Sequence, residues 1–245
     1  GRTLSLEGDL EWAFYPKIRV KAGPLSLSNP EGFGNVPFFA ADEIQVAVTT
    51  IPLLRKRIEM DAVKLHGAVI NLRRSADGTT NWQDLVDEEG KSRSSPGIGV
   101  ASIMLGGVDI RDARLTWSDA QNDQQVTISK FRISTGALRF GEPIDFDLSL
   151  SALANQPAID SDLKLTGTVA YDLDDDRYLI TPLMLATTLR GKHLDNGIAT
   201  VEATAGIDIN LREEIAEIKK LELHGLGMEI EGELSSKNIR SDTPS

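Results

Sequence analysis

The feature that most constrains this chain is a ten-residue pattern of alternating apolar and polar residues that occurs three times. The copies lie at 63–72, 108–117 and 221–230, and their apolar positions match one another. Alternation with a period of two is typical of a β-strand that has one apolar face. The repetition predicts a long sheet built from similar units, whose function lies in the surface that these units share.

Within each copy the apolar residues change parity partway, which a regular strand cannot accommodate. A slip of one residue turns every later side chain to the opposite face of the sheet. We therefore predict a bulge or tight bend at Gly67, Asp112 and Gly225, because Gly and Asp tolerate the positive φ that such sites often need. Residues 163–171 keep one parity throughout, which predicts a long strand without a bulge.

Strand-like segments recur along the rest of the chain, about a dozen in all, many at the spacing that is typical of all-β proteins. Helical patterns are few. Residues 51–57 fit one helical turn or a bend, 81–86 fit a short helix with Asn81 as its N-cap, and 212–220 fit a helix or, preferably, two short strands. The predicted fold class is mainly β: a long, curled, mostly antiparallel sheet that forms a β-groove, with one or two short helices.

Composition divides the chain into three parts. Residues 1–87 are predicted to form an N-terminal β segment, and 100–245 are predicted to continue the β-groove. Residues 88–99 are polar and rich in Ser, Gly and charge, which predicts a flexible linker or loop. No apolar run reaches the roughly 18–20 residues of a membrane-spanning helix, and both ends read as cuts through a longer protein.

Charge and cysteine content exclude several classes of function. The formal net charge is −11, which argues against a nucleic-acid partner because binding a phosphate backbone needs clustered Lys and Arg. The densest basic run, Arg55-Lys56-Arg57, and the later pair Arg73-Arg74 are interpreted as solvated strand ends, with a phosphate or lipid head-group contact as the alternative. The chain has no cysteine, so disulfides, thiolate catalysis and zinc–cysteine sites are excluded.

No group of residues converges on catalysis. The chain has no nucleophile elbow, phosphate-binding loop, zinc-protease motif or dinucleotide fingerprint. His66 and His224 occupy the same position in two copies of the repeat, on the polar parity, and are interpreted as solvent-facing strand residues. Trp82 either stacks on a sugar or, preferably, plugs the end of a sheet. We predict no enzymatic activity, and no catalytic, cofactor-binding or metal-binding residue.

The order of five motifs resembles the AsmA family of Gram-negative envelope proteins. These motifs lie at 12–18, 25–33, 51–54, 63–67 and 77–85, and the likeness continues in looser form through the second repeat. The resemblance implies the periplasmic region of a protein that an N-terminal helix, absent from this sequence, anchors in the inner membrane. It also implies a β-groove like those of TamB-like proteins, which guides phospholipid between membranes or supports outer-membrane assembly and homeostasis.

A groove of this kind would bind phospholipid acyl chains along its apolar face, and envelope proteins are further candidate partners. The predicted groove residues are Ile44, Val46, Val48, Leu65, Ile70, Leu72, Ile110, Leu115 and Trp117. Alternatively, these residues pack on one another or on a helix and leave no cavity. Two other functions stay open: a protein-binding scaffold that acts by strand addition, and a carbohydrate-binding β domain.

Overall fold

The computed structural model describes residues 2–15, 17–54, 58–85, 103–139, 141–172, 175–192 and 194–239. These residues form one sheet of eighteen strands. The predicted linker at 88–99 and the basic run at 55–57 lie outside the described residues. The fold class is as predicted: mainly β, with one long, mostly antiparallel, open sheet and almost no helix.

The first part of the sheet consists of ten short strands and one short helix. Residues 51–57 were expected to form a helical turn or a bend, and the described part of them lies in a single short α-helix. The elements are β1 (Leu4–Leu6), β2 (Glu11–Ala13), β3 (Lys17–Ala22), β4 (Leu25–Leu27), β5 (Phe39–Ala41), β6 (Glu43–Thr49), α1 (Thr50–Leu54), β7 (Ile58–Met60), β8 (Val63–His66), β9 (Val69–Arg74) and β10 (Ile103–Leu105).

The second part is a meander of eight long antiparallel strands, each paired with the next. Residues 212–220, which fit either helix or strand in sequence, form a turn followed by strand, so the preference for strand is confirmed. The strands are β11 (Val108–Asp119), β12 (Gln124–Thr135), β13 (Ile144–Asn155), β14 (Ala158–Asp172), β15 (Arg177–Arg190), β16 (Ile198–Asn210), β17 (Ile215–Gly225) and β18 (Met228–Lys237).

The two parts join through parallel pairing. Strands β7, β8 and β9 lie along β10 and β11 in parallel, whereas every other pair in the described sheet is antiparallel. Parallel neighbours need a crossover connection, and the chain makes that crossover between Arg74 and Ile103. At one edge β1 and β2 pair only with β4 and β3, and at the other edge β18 pairs only with β17, so the described sheet is open.

A line of backbone irregularities, which we call the bulge line, crosses the first strands. Gly67 has a φ of 60° between β8 and β9, and Asp112 has a φ of 54° at a register shift of β11, so both predicted bulges are confirmed. Lys130 continues the line in β12, with a φ of 51°. Bulges bend a strand and increase its twist, which favours a curled sheet over a flat one.

At the third predicted position, Gly225, the structure has the tight bend and not the bulge. Gly225 ends β17, and the chain reverses through Leu226 and Gly227 so that Met228 lies opposite Gly225. Leu226 and Gly227 both have positive φ, 54° and 72°, as a two-residue type I′ hairpin turn requires. A tight turn also changes the parity of the apolar residues, and for this reason the sequence pattern alone does not separate it from a bulge.

Asn81 does not act as a helix cap, contrary to expectation. The helix that follows it is a single 3-10 turn, Gln83–Leu85, and the side chain of Asn81 points into the sheet with 0% exposure. Its amide group donates to the Asn29 side-chain oxygen and to the Asn71 carbonyl, both at 2.7 Å. Its amide oxygen accepts from the Arg73 backbone N–H at 2.8 Å. Asn81 therefore fastens this segment to β9.

Candidate functional site

One face of the sheet carries a continuous row of apolar side chains, which we call the central row. Each member lies directly opposite the next one on the neighbouring strand, and the row crosses eleven strands. Its members are Ala22, Ile44, Leu65, Ile110, Ile133, Leu148, Leu165, Leu185, Ala203, Leu223 and Ile230.

A second row runs beside the central row, on the other side of the bulge line. It is apolar except for one serine, because the bulges return the later side chains to the same face. Its members are Leu4, Leu27, Phe39, Ile70, Leu115, Ile128, Ala152, Ser161, Leu189 and Ala199. Together the rows form an apolar strip across the sheet, which we call the apolar face.

Five of the nine predicted groove residues belong to the two rows, the other four lie on the same side of the sheet, and each of the nine is half-buried. Ile44, Leu65 and Ile110 are neighbours in the central row. Two more of the nine are neighbours in the second row, Ile70 and Leu115. The other four lie further along these strands. Val46 and Val48 lie on β6, and Leu72 on β9 lies directly opposite Trp117 on β11.

Sequence reasoning missed the continuation of the central row into the meander. The single parity of 163–171, and the similar alternation at 144–150, were the signals that could have found it. In both segments the apolar residues fall on the apolar face. The large members of the central row that the prediction omitted are Ile133, Leu148, Leu165, Leu185, Leu223 and Ile230.

The apolar face has no second layer over it in the described part of the chain. The accessible surface is 16427 Å², whereas a compact protein of this mass exposes about 10,700 Å². The buried apolar residues among those described are three alanines, Ala41, Ala47 and Ala68. The alternative in which the apolar residues pack on a helix therefore receives no support from the described elements.

The opposite face, which we call the outer face, is held by ion pairs between neighbouring strands. Asp208 on β16 is buried and accepts from Arg177 at 2.6 and 2.8 Å and from Lys219 at 3.1 Å. The hydrogen bond from Arg177 is the main reason that the pKa of Asp208 falls to about 2, and Lys219 lowers it further. Desolvation acts in the opposite direction but is outweighed.

A second group of polar contacts on the outer face joins β13, β14 and β15. The Ser151 hydroxyl donates to Asp162 at 2.5 Å, and the Arg190 guanidinium contacts the other oxygen of Asp162 at the same distance. The Ser151 hydrogen bond, followed by the Arg190 contact, lowers the pKa of Asp162. The two faces thus differ in chemistry, since one offers mainly hydrocarbon contact and the other carries the interstrand ion pairs.

The remaining candidate residues do not assemble a reaction centre. His66 is exposed and lies 3.6 Å from Asp42 and from Asp112, and His224 is exposed and lies 3.3 Å from Glu229, so both face solvent as predicted. Across the described residues, no group of three or more His, Asp or Glu side chains is placed to hold a metal ion.

The Trp82 ring contacts Trp117, with the ring centroids 5.3 Å apart. Trp82 follows Asn81 and is half-buried, so its side chain packs at the end of β11 as the interpretation of a sheet plug requires. The contact uses one side of each indole, which weakens the case for a free sugar-stacking platform. No helix in the described ranges is both long enough and apolar enough to cross a bilayer.

Comparison with known proteins gives two matches. The model of the AsmA family matches residues 1–238. Protein AsmA of Escherichia coli (strain K12) is 29% identical over 144 residues, which are 54% of this chain and 21% of the relative. The match therefore spans about a fifth of the length of that relative. No solved structure matches the chain.

Proposed function

The chain belongs to the AsmA family, and from that premise we propose that it guides phospholipid between membranes, with the acyl chains lying along the apolar face. Membership of this family supports a role in the cell envelope. The AsmA family is not a known enzyme family, and the proposed role needs no catalysis. Lipid carriage of this kind would also support outer-membrane assembly and homeostasis.

The observation that carries the proposal is the unbroken central row. Strands lie about 4.8 Å apart, so a row across eleven strands is roughly 50 Å long. An acyl chain in one bilayer leaflet spans only about 15 Å, half the hydrocarbon thickness. The strip is therefore several acyl chains long, which suits movement along a path better than retention in one pocket.

The chemistry of the two faces fits such a path. Each methylene removed from water contributes about 0.8 kcal/mol, and hydrocarbon contact has no preferred direction, so a chain can slide from one position to the next. The central row carries no charged side chain that would stop it. Ion pairs such as those of Asp208 keep the outer face polar and hydrated.

We place this path in the periplasm, in a full-length protein that is anchored in the inner membrane. The support for this placement is the family relationship. Protease accessibility in spheroplasts of a Gram-negative host tests it with the full-length protein. Digestion by external protease is expected, and protection until the inner membrane is opened would contradict the placement.

Photo-crosslinking tests whether acyl chains lie on the apolar face. A photoreactive amino acid is placed at Leu165 or Leu185 of the central row, and the matched controls carry it one residue away on the outer face, at Lys164 or Ala186. Mass spectrometry of the chain after irradiation in cells then identifies the adducts. We expect phospholipid adducts at the two leucine positions and none at the controls.

A blocking variant extends the test from binding to transport. Replacing both Leu165 and Leu185 by Asp puts two carboxylates in the middle of the path, and their desolvation opposes the passage of acyl chains. Leu153→Asp is the control, because Leu153 is 59% exposed on the outer face. Loss of lipid transfer between vesicles in the double variant, but not in the control, supports the proposal. Adducts on both faces, or equal transfer by all forms, would overturn it.

A second candidate function is a scaffold that binds protein by strand addition. The observation in its favour is the open edge at β18, where Met228, Ile230 and Leu234 are exposed beside unpaired backbone groups. This function predicts crosslinks from β18 to polypeptide instead of lipid. The same irradiation experiment, with the photoreactive residue at Leu234, separates the two functions.

A further inference from the structure

A polar cavity of about 600 Å³ lies on the outer face, where β9, β11 and β12 run side by side near one end of the sheet. The loop at 32–34 forms one of its walls. Its floor consists of two rows of polar side chains, each three strands wide, and we call it the Arg73 cavity. The floor residues are Asn71, Thr116 and Thr127 in one row, and Arg73, Ser118 and Gln125 in the other.

The charge of the Arg73 cavity is opposite to that of the chain. Two arginines line it and no described Asp or Glu does, although the chain has 37 Asp and Glu against 26 Lys and Arg. Four other cavities on the described surface are each lined by at least two carboxylates. The acidic residues that lie close by in sequence do not line the Arg73 cavity; they are Glu31, Asp77, Asp119 and Asp123.

Of the two arginines, Arg73 is the one that is available to a ligand. Arg74 contacts the buried Asp119 at 3.2 Å and lies over the Trp117 ring. Arg73 has no carboxylate partner among the described residues, and its guanidinium donates once, to the Phe33 carbonyl oxygen at 3.2 Å. The other donors of this guanidinium are therefore free to bind an anion.

The floor of the cavity offers further unused polar groups. In the described structure, the hydroxyls of Thr116, Ser118 and Thr127 and the side-chain amide of Gln125 make no hydrogen bond to another protein group. Elsewhere on the outer face, polar side chains are joined across strands, as Arg177 is to Asp208. An unpaired guanidinium beside several unpaired hydroxyls is an arrangement that suits the binding of an oxyanion.

We propose that the Arg73 cavity binds a phosphate ester of a small polyol, either as a free compound or as the glycerophosphate head group of a lipid. The planar guanidinium of Arg73 matches two phosphate oxygens, and the hydroxyls of Thr116 and Ser118 can donate to the others. The amide of Gln125 both donates and accepts, which suits polyol hydroxyls. The volume lies within the range of about 300–1,000 Å³ that is typical of small-molecule sites.

Titration of the chain of residues 1–245 with sn-glycerol 3-phosphate, followed by saturation-transfer NMR, tests the site. We expect saturable binding that weakens at least about tenfold in Arg73→Gln, because the charge-assisted hydrogen bonds are lost. Thr116→Val/Thr127→Val removes two hydroxyls but keeps side chains that favour strands, and it should weaken binding about threefold or more. This second variant decides the test if Arg73→Gln fails to fold.

Arg114→Gln is the matched control. Arg114 lies on the outer face of β11, two residues before Thr116, and it is exposed and does not line the cavity. Like Arg73, it has no carboxylate partner among the described residues. Its replacement removes the same charge from the same face and should leave the affinity within about twofold of the parent.

Two further ligands identify the chemistry and the source of the bound group. Glycerate, which carries a carboxylate in place of the phosphate ester, should bind at least about tenfold more weakly than glycerol 3-phosphate. Dihexanoylphosphatidylglycerol below its critical micelle concentration presents the glycerophosphate group on a lipid. Binding of glycerol 3-phosphate assigns the cavity to a free compound. Binding of the lipid alone, lost in Arg73→Gln but kept in Leu165→Asp/Leu185→Asp, assigns it to a head group.

Three outcomes would overturn the proposal. These are no Arg73-dependent binding of either phosphate ester, equal losses in Arg73→Gln and Arg114→Gln, and binding of glycerate as tight as that of glycerol 3-phosphate. The Arg73 cavity and the apolar face lie on opposite sides of the sheet. Crosslinks at Leu165 and Leu185 therefore do not depend on Arg73, so failure of this site is distinct from failure of the proposed lipid path.

Discussion

At the scale of single residues, Asp208 provides the clearest link between pH and stability. Its folded pKa of about 2 lies below the ordinary value of 3.8, so its stabilising effect is present above about pH 4 and is lost as pH falls toward 2. We predict that Asp208→Asn lowers the free energy of unfolding at pH 7 by about 1 to 2 kcal/mol. Urea denaturation of the variant and the parent between pH 7 and pH 2 measures the difference, which should shrink with acidity.

Asp147→Asn is the control for Asp208. Asp147 is exposed and lies 3.5 Å from Lys164 on the same outer face, where solvent screens the pair. Its replacement should change stability by no more than about 0.5 kcal/mol. Equal effects at the two positions, or a difference for Asp208→Asn that does not depend on pH, would contradict the role given to the buried carboxylate.

Asn81 supports a second prediction. Asn81→Ala removes three hydrogen bonds and takes from the Arg73 N–H and from the Asn29 side-chain oxygen the partner that Asn81 supplies, so the free energy of unfolding should fall by about 2 to 4 kcal/mol. Asn122→Ala, which removes one hydrogen bond from an exposed turn, should cost less than about 1 kcal/mol. Chemical denaturation compares them, and similar losses would argue against the fastening role of Asn81.

The misassignment of Asn81 shows what local sequence leaves out. An Asn before a short helical pattern fits an N-cap, and the partners that decide otherwise, Asn29 and Asn71, are distant along the chain. Tertiary hydrogen bonds of this kind leave no pattern in the local sequence from which they could be predicted. Gly67 and Asp112 were predictable because a parity change and a residue tolerant of positive φ fall at the same position.

At the scale of strands, a glycine is required where the backbone between β3 and β4 comes close to the backbone between β5 and β6. Gly23 has a φ of 142°, and an added Cβ would lie 2.1 Å from the Asp42 carbonyl oxygen. Gly32 has a φ of 93° but has nothing within 4 Å of that position. We predict that Gly23→Ala destabilises the protein by about 2 to 4 kcal/mol, and Gly32→Ala by only about 1 kcal/mol.

Unfolding free energies from denaturant titration check this pair. Both glycines have positive φ, so backbone strain is common to the two variants and the difference reports on the close approach at Gly23. Equal losses would mean that the backbone at Asp42 moves away from an added Cβ at little cost, and the close approach at Gly23 would then not be a rigid feature.

Alternation predicted the strands well, but it could not predict how all of them pair. The long strands β13 and β14 of the meander follow from single parity, and they pair as neighbours in sequence through a short turn. The parallel pairing of β8 and β9 with β11 has no such signal, because the two partners are separated by a crossover and each reads as an ordinary half-buried strand. Only the global register reveals that two of the repeat copies lie side by side.

At the scale of the whole molecule, the uncovered apolar face should make stability sensitive to amphiphiles. A detergent below its critical micelle concentration that binds the folded sheet should raise the Tm of the parent by roughly 5 °C. Leu165→Asp/Leu185→Asp should lose this gain, and Leu153→Asp should keep it. Differential scanning calorimetry measures the shift, and a fall of Tm in the parent would contradict a binding face that is open in the folded state.

The extent of the apolar face was only half predictable. Nine residues from β6 to β11 were selected, six of them from the repeated motif and three from the alternating segment at 44–48, and the structure places them on one face. The meander has the same alternation but weaker repetition, so its contribution emerges only when the register joins Ile110 to Ile230 through successive neighbours. The exposure of Trp12, Phe14 and Tyr15 had no sequence signal, because exposure depends on where the sheet ends.

The meander also has a consequence for how such molecules change size over evolutionary time. From β12 onward every strand pairs only with its immediate predecessor and successor in the described sheet, so a duplicated or deleted hairpin at the free edge disturbs no distant contact. Each extra pair of strands would add about 10 Å to the hydrocarbon track. The length of the track, and so the distance it can bridge, is therefore set by the number of hairpins, and the existing strands need not change.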